Sequence, residues 1–368
     1  MKIGILTFHN AHNYGAVLQA YALRTVLRRK GHDVHIINYQ NPAITASYPA
    51  RLPFPVSKRD IFHRSRWKND LRAIRQWAYS YASWRRQWVK FDAFLGKVLL
   101  ENDLPPLSLQ EVAALDLDCY ICGSDQIWTD FLTGGLDPVY FLDFPTKARK
   151  ISYGASIFTK QIPPAEVDYF RETLSRFDAV SVREASLAAE LSNLLHKPVT
   201  TVLDPSMLLD AADYNLLCSS APAKQKYVFA YFLMENDMVS KCATAIAQKL
   251  DLPLLEMHFY KQYGLRGHNQ RADFGPEDFL NHIRNAEFVV TNSFHGTVFS
   301  ILYQKPFYSV FEDDARKESI LQSLDLSDRH IFSTEQIDLD TVIDYPSCHE
   351  KLRSLRQASL DFLDTALC

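Results

Sequence analysis

The feature that most constrains this fold is its opening: an apolar run, a polar loop, an amphipathic helix and a second apolar run. Lys2–Phe8 is the first run and His9–Gly15 the loop. Ala16–Lys30 follows, with Ala16, Leu18, Ala20, Leu23, Val26 and Leu27 on one helical face. Gly31 stands where a C-cap glycine belongs, and Val34–Tyr39 is the second run. Strands joined in this way lie parallel, so the order predicts the start of a Rossmann-like sheet. Further strands are predicted at Asp118–Cys122, Lys150–Tyr153, Ala179–Val182 and Thr200–Leu203. After the polar stretch Ser219–Lys226 the pattern restarts. Strands at Tyr227–Leu233, Leu252–Met257, Glu287–Thr291 and Pro306–Val310 alternate with helices at Asp237–Leu250, Pro276–Arg284 and Gly296–Tyr303.

Two successive α/β units predict two Rossmann-like lobes across a cleft: residues 1–218, residues 219–346, and a closing helix within 347–368 that is read from Glu350–Leu367. A chain of 368 residues suits two domains, and 47% hydrophobic with 23% charged residues suits packed cores. The net charge of -3 argues against a nucleic-acid partner, because neutralising phosphates takes a basic surface. The first ten residues have neither the length nor the cleavage site of a signal peptide, and no run approaches the roughly 18 apolar residues of a spanning helix. A cytoplasmic protein is therefore expected. Six scattered cysteines do not make a disulfide framework. Cys119 and Cys122 have C-x-x-C spacing, yet on a strand they point to opposite faces and make neither a redox pair nor a metal site.

One segment interrupts the alternation. An insertion at about 57–100 carries Trp67, Trp77, Trp84 and Trp88 among Arg64, Arg66, Lys68, Arg72, Arg75, Arg85, Arg86 and Lys90. Such a helix either lies on an anionic membrane surface or packs its aromatic residues on the first lobe with its charges in water. The second reading is preferred.

Doubly wound sheets bind ligands outside the carboxyl ends of their strands, so the polar turns at those ends are the candidate sites. The first holds Asn13, Tyr14 and Gly15 at a helix N-terminus, where free N–H groups favour anions and Asn13 is equally an ordinary cap. The second is Gly123-Ser124-Asp125, where Gly123 allows close approach of a ligand. Asp125 there is read as a sugar contact, a base or a turn cap. In the third, Thr291-Asn292-Ser293-Phe294-His295-Gly296, His295 is either a general acid–base or a structural histidine. Arg183, at the end of Val180–Val182, forks toward phosphate or carboxylate, or else pairs with Glu184. Asp204-Pro205 reads as a turn.

The ordered segments N-Y-G-A-V-L-Q-A-Y-A-L (Asn13–Leu23), G-S-D-Q-I-W (Gly123–Trp128), Y-G-A-S (Tyr153–Ser156), S-V-R-E (Ser181–Glu184), L-D-P (Leu203–Pro205) and T-N-S-F-H-G-T (Thr291–Thr297), then K-P-F (Lys305–Phe307), together resemble the polysaccharide pyruvyl transferase family. The resemblance implies two lobes arranged as in GT-B glycosyltransferases. It also implies transfer of a pyruvyl group from phosphoenolpyruvate to a diol of a glycan or lipid-linked sugar, with no metal or redox cofactor. By position, His295 matches the family's catalytic histidine and Arg183 an arginine that holds the donor. Asn13, Tyr14, Gly15, Gly123, Ser124, Asp125, Asn292, Ser293, Phe294 and Gly296 become candidate substrate contacts.

The chain departs from the family at Ser293, where well-studied members carry a second donor-gripping arginine. Arg316, Lys317, Arg266 and Arg271 are the candidates to replace that charge. The competing readings are a nucleotide-sugar glycosyltransferase on the same scaffold and a glycan-binding protein without chemistry.

Overall fold

Runs such as Ile3–Leu6 and Cys119–Cys122 are apolar at nearly every position, and strands of that kind need both faces covered. The structure, a computed structural model, meets this with two parallel sheets flanked by helices. It describes residues 1–48, 67–101, 105–218, 225–259, 261 and 269–368, with 67–70 as backbone alone.

The first sheet runs in the order β2-β1-β3-β4-β5-β6. Its strands are β1 (Lys2–Leu6), β2 (Asp33–Ile36), β3 (Cys119–Cys122), β4 (Arg149–Ala155), β5 (Ala179–Val182) and β6 (Thr200–Thr201). The second runs β12-β11-β10-β7-β8-β9. It comprises β7 (Val228–Tyr231), β8 (Leu254–Met257), β9 (Gln270–Arg271), β10 (Phe288–Thr291), β11 (Phe307–Val310) and β12 (His330–Ile331). Every strand pairing is parallel. The eight strands predicted after the opening pair are all present; the two-residue β9 and the short β12 have too few residues to show a period.

The alternation of side chains decides how each strand is buried. Cys119 and Ile121 join one apolar cluster with Ile3 and Ile5, while Tyr120 and Cys122 join a second on the opposite face with Leu6. The two cysteines are thus on opposite sides of the sheet, and burial pushes the Cys119 thiol up to about 12. They are free thiols.

The strand order reverses between β1 and β3 in the first sheet and between β7 and β10 in the second. Loops leaving adjacent strands at such a switch point diverge and leave a crevice. In this chain those loops are Thr7–Asn13, Gly123–Trp128, Phe232–Asn236 and Asn292–Ser293, so both crevices fall on the turns singled out above.

The basic, tryptophan-rich segment is a helix, Trp67–Phe94, continued by a π-helical turn over Leu95–Leu100. Residues 57–66, with Arg64 and Arg66, and the side chains of Trp67 and Lys68 lie outside the described residues. The expectation that its aromatic residues pack on the first lobe while its basic residues face water needs correction, because the helix joins both lobes and two of its basic residues are paired. Trp84 and Phe91 are buried, Phe91 stacks on His12, and Gln87 donates to the Tyr14 hydroxyl at 2.9 Å. On the other side Arg86 pairs with Asp273 at 3.2 Å and Lys90 with Asp278 at 2.7 Å, both in the second lobe. These acids lie nearly 190 residues away in sequence, beyond the reach of a periodicity argument. Arg72, Arg75 and Arg85 remain exposed. Among the described residues no helix is long and apolar enough to cross a membrane.

The C-terminal helix covers Tyr345–Leu367, five residues longer at its start than the apolar pattern indicates. Asp344 caps it and Pro346 suits its first turn. It returns to the first lobe, where Ser359 Oγ accepts the Leu203 N–H at 2.9 Å and Arg356 donates to the Met207 carbonyl at 2.7 Å.

Candidate active site

A helix that follows a parallel strand begins at the strand's carboxyl end, so two facing sheets bring several helix N-termini together. In this chain four of them border one cleft of about 580 Å³, through the caps Asn13, Asn236, Ser293 and Asp314. Asn13 Oδ1 accepts the Gly15 N–H at 2.9 Å, and Asn236 Oδ1 accepts that of Met238 at 2.8 Å. Each N-terminus carries roughly half a positive charge, so the cleft attracts anions before any side chain is counted.

His295 lies in the first turn of the Phe294–Leu302 helix and borders this cleft. Its Nε2 stands 3.6 Å from Asp204 Oδ2, within ion-pair range and beyond a hydrogen bond. Behind the ring is Gly15: a Cβ built there would come within 1.9 Å of His295 Nδ1. The glycine of the first predicted turn therefore seats the histidine of the third, across the lobes. Gly15→Ala is expected to push His295 off Asp204 and cut turnover by about 10²-fold, as small misplacements of catalytic groups do. Steady-state rates, with circular dichroism showing intact helix content, would check this.

Asp204 is fully buried and anchors the site. It caps the turn Pro205–Met207 through the Ser206 N–H, as its sequence suggests, and it also accepts from Arg183 Nη1 at 2.7 Å. Burial alone would raise its pKa, but His295, Arg183 and Ser206 together hold the carboxyl well below the usual range. Arg183 reaches Asp125 as well, at 3.3 Å, and its guanidinium carbon stands over the Phe294 ring, 5.4 Å from the centroid.

Two cations of the cleft come from the start of the Ala315–Ser323 helix. Arg316 and Lys317 both border the cleft, both pair with Asp314, and Lys317 Nζ donates to the Asn292 carbonyl at 2.8 Å. Lys317 is buried, and that burial, opposed by Asp314, pulls its pKa down to about 8. Among the described residues no His, Cys, Asp and Glu cluster could hold a metal ion.

The sequence matches the profile of the family described as polysaccharide pyruvyl transferase over residues 13–313. The chain belongs to that family. No significant match is found among curated proteins. Two solved structures similar in fold are a Listeria monocytogenes protein provisionally described as a UDP-N-acetylglucosamine 2-epimerase and the S. aureus protein MnaA solved with UDP. The first is 11% identical over 99% of this chain and 87% of that one, with a TM-score of 0.50. The second is 12% identical over 99% and 88%, also with a TM-score of 0.50. At that identity the likeness concerns the fold, and this pyruvyl transferase family member has the two-lobed GT-B-like architecture.

Within this family member, Asn13, Asp125, Asn292, Ser293, Phe294, His295 and Arg316 all border the cleft. Five other expected contacts do not, Gly15 behind the His295 ring among them. Tyr14 is buried between the lobes, stacked on Phe279 and donating to the Phe274 carbonyl at 3.0 Å. Ser124 is wholly buried, its Oγ donating to the Gly154 carbonyl at 2.7 Å. Gly123 leaves no room for a Cβ, which would strike the Tyr153 carbonyl. Gly296 lets its helix pack on Thr291.

Arg183 is only 3% exposed and bound by two carboxylates; it borders a smaller cavity of about 130 Å³ that shares Phe294 and Arg316. It does not pair with Glu184, whose side chain leaves the extended backbone on the other side and accepts from Ser156 Oγ. Of the candidate replacements for the charge absent at Ser293, Arg316 and Lys317 are in place. Arg271 pairs with Asp273 instead, and Arg266 lies outside the described residues. Asp204, read as a turn residue, is the functional position that the sequence undervalues. Its signals were its place at a strand end beside the Arg183 strand and its membership of the L-D-P segment.

Proposed function

We propose that this protein transfers the pyruvyl group of phosphoenolpyruvate to two hydroxyls of a sugar in a cell-surface glycan or its precursor, in the cytoplasm, forming a cyclic ketal and releasing phosphate. Supporting this most directly is the convergence of four helix N-termini and the Arg316–Lys317 pair on the cleft that holds His295 and its buried partner Asp204. A small trianionic donor suits that field. His295, as an acid, gives a proton to the methylene carbon of the enol phosphate. A sugar oxygen bonds to the adjacent carbon, and the bond from that carbon to the phosphate oxygen breaks. The second hydroxyl closes the ketal. Of the two hydroxyl protons, one is taken up in the new methyl group and one leaves with phosphate. Asp204 faces the imidazole ring at Nε2, while Arg183 is buried behind it as a fixed counter-charge. Phosphate release from phosphoenolpyruvate, assayed with galactose- and mannose-type acceptors, tests the reading; turnover of a nucleotide sugar with phosphoenolpyruvate left intact would replace it with glycosyl transfer.

Lys317 makes the donor site pH-dependent on this reading. A lysine with its pKa lowered to about 8 is charged below that pH and neutral above it. The KM for phosphoenolpyruvate should therefore rise as pH passes upward through about 8, and Lys317→Gln should raise KM at neutral pH and flatten that rise. Initial-rate pH profiles of the two proteins would show it.

A further inference from the structure

Beside the main cleft is a second chamber of about 330 Å³ that no step above uses. It shares Phe158, Asp313, Asp314 and Arg316 with the cleft and is otherwise walled by Ile157, Thr159, Lys160, Glu184, Ser186, Leu187 and Ala315. Lys160 of the first lobe and Asp313 of the second pair across it at 2.7 Å. Two features are unexplained by the fold. Phe158 is 61% exposed and Phe131 is 58% exposed, and the two meet edge to face at 5.0 Å. Two exposed aromatic rings in contact at the mouth of a cleft form a ready apolar platform. Glu184, in contrast, is 6% exposed. One of its oxygens accepts from Ser156 Oγ, and the other, Oε2, has no hydrogen-bond partner among the described residues.

The charges of the chamber select the ligand. Lys160 is taken up by Asp313 and Arg316 by Asp314, leaving the Glu184 carboxyl as the group without a full set of partners. An anionic donor is repelled there, whereas a neutral polyol offers the hydroxyl donor that a carboxylate oxygen lacks. One face of a pyranose ring is lined by C–H groups, whose slightly positive hydrogens suit the negative face of a phenyl ring.

We propose that this chamber is the acceptor subsite: a pyranose lies with its C–H face on Phe158, edge-supported by Phe131, and donates a hydroxyl to the Glu184 carboxyl, whose shielded Oε2 turns toward it on binding. The role as acceptor site rests on the pyruvyl-transfer reading; the binding of a pyranose does not. Bound there, the sugar is next to the cleft that holds His295, which is where a diol must be presented.

The test uses the full chain with a panel of methyl pyranosides, followed by saturation-transfer NMR, beside Phe158→Ala, Glu184→Gln and the remote control Leu216→Ala. Phe158 is exposed, so its loss leaves the core intact, and glutamine keeps the acceptor for Ser156. Affinity for the bound pyranoside should fall about tenfold or more in each chamber variant, the loss expected for one charge-assisted hydrogen bond or one ring contact. Leu216→Ala should bind both the pyranoside and phosphoenolpyruvate as wild type does. A wild-type protein that binds no pyranoside, or chamber variants that bind as well as wild type, overturns the subsite. Pyranoside binding that depends on Phe158 without consumption of phosphoenolpyruvate keeps the subsite and removes the pyruvyl-transfer reading. Turnover with an unchanged acceptor KM in the variants does the reverse.

Discussion

His295→Ala is expected to reduce the rate of phosphate release by about 10²–10⁴-fold, the usual contribution of a positioned general acid. The loss should fall on kcat. His295 sits on the helix whose cap is Ser293, while the donor's charge is met by the helix N-termini and by Arg316 and Lys317 from a different helix. Donor affinity should therefore change far less than turnover. His295 is nearly buried against Gly15 and Asp204, and the space left by alanine is small and polar, so thermal unfolding should shift little. A parallel collapse of stability would mean instead that the histidine holds the lobes together.

Asp204→Ala should be the most destabilising single change at the site, by about 3–5 kcal/mol, because removing one partner of a buried ion pair leaves the other charge uncompensated. Arg183 would keep only the 3.3 Å contact to Asp125, and Ser206 would lose its acceptor. Urea unfolding of variant and wild type measures this. The dependence on pH has a defined sign. The Asp204 carboxyl titrates below its unfolded value near 3.9, so its contribution is complete above about pH 4 and is lost as pH falls toward the folded value. The gap between the two proteins should be flat from neutral pH down to that point and shrink below it. Activity should fall too, since His295 loses the carboxylate that faces Nε2.

The fold was readable because its signals are local. Fully apolar runs of four to seven residues, helices with one apolar face and capping residues at their starts all follow from contacts within a dozen residues, and they are enough to place two α/β units in order. The turns that end those strands could be located for the same reason. What each turn residue does was less legible, since that depends on the other lobe. Gly15 looks like half of an anion-binding turn, yet it is the seat of a histidine 280 residues later. Tyr14, next to it, serves the lobe interface, and Arg183 is tied to a carboxylate 21 residues on rather than to its neighbour Glu184. The bridging role of the Trp67–Phe94 helix was hidden likewise, because its partners Asp273 and Asp278 belong to the second lobe. The absence of an arginine at Ser293 was visible in sequence. Which cations stand in the cleft instead became visible only when the Ala315–Ser323 helix was placed there.

If this cleft joins pyruvate to a sugar through proton transfer to the methylene carbon, turnover in D2O with mass spectrometry of the acceptor shows it directly. The expected product is an acceptor heavier by one pyruvyl ketal, carrying one solvent-derived deuterium in its new methyl group, with one phosphate released per ketal and both formed about 10²–10⁴-fold more slowly in His295→Ala. An acceptor that gains a hexose from a nucleotide sugar while phosphoenolpyruvate stays intact would contradict it.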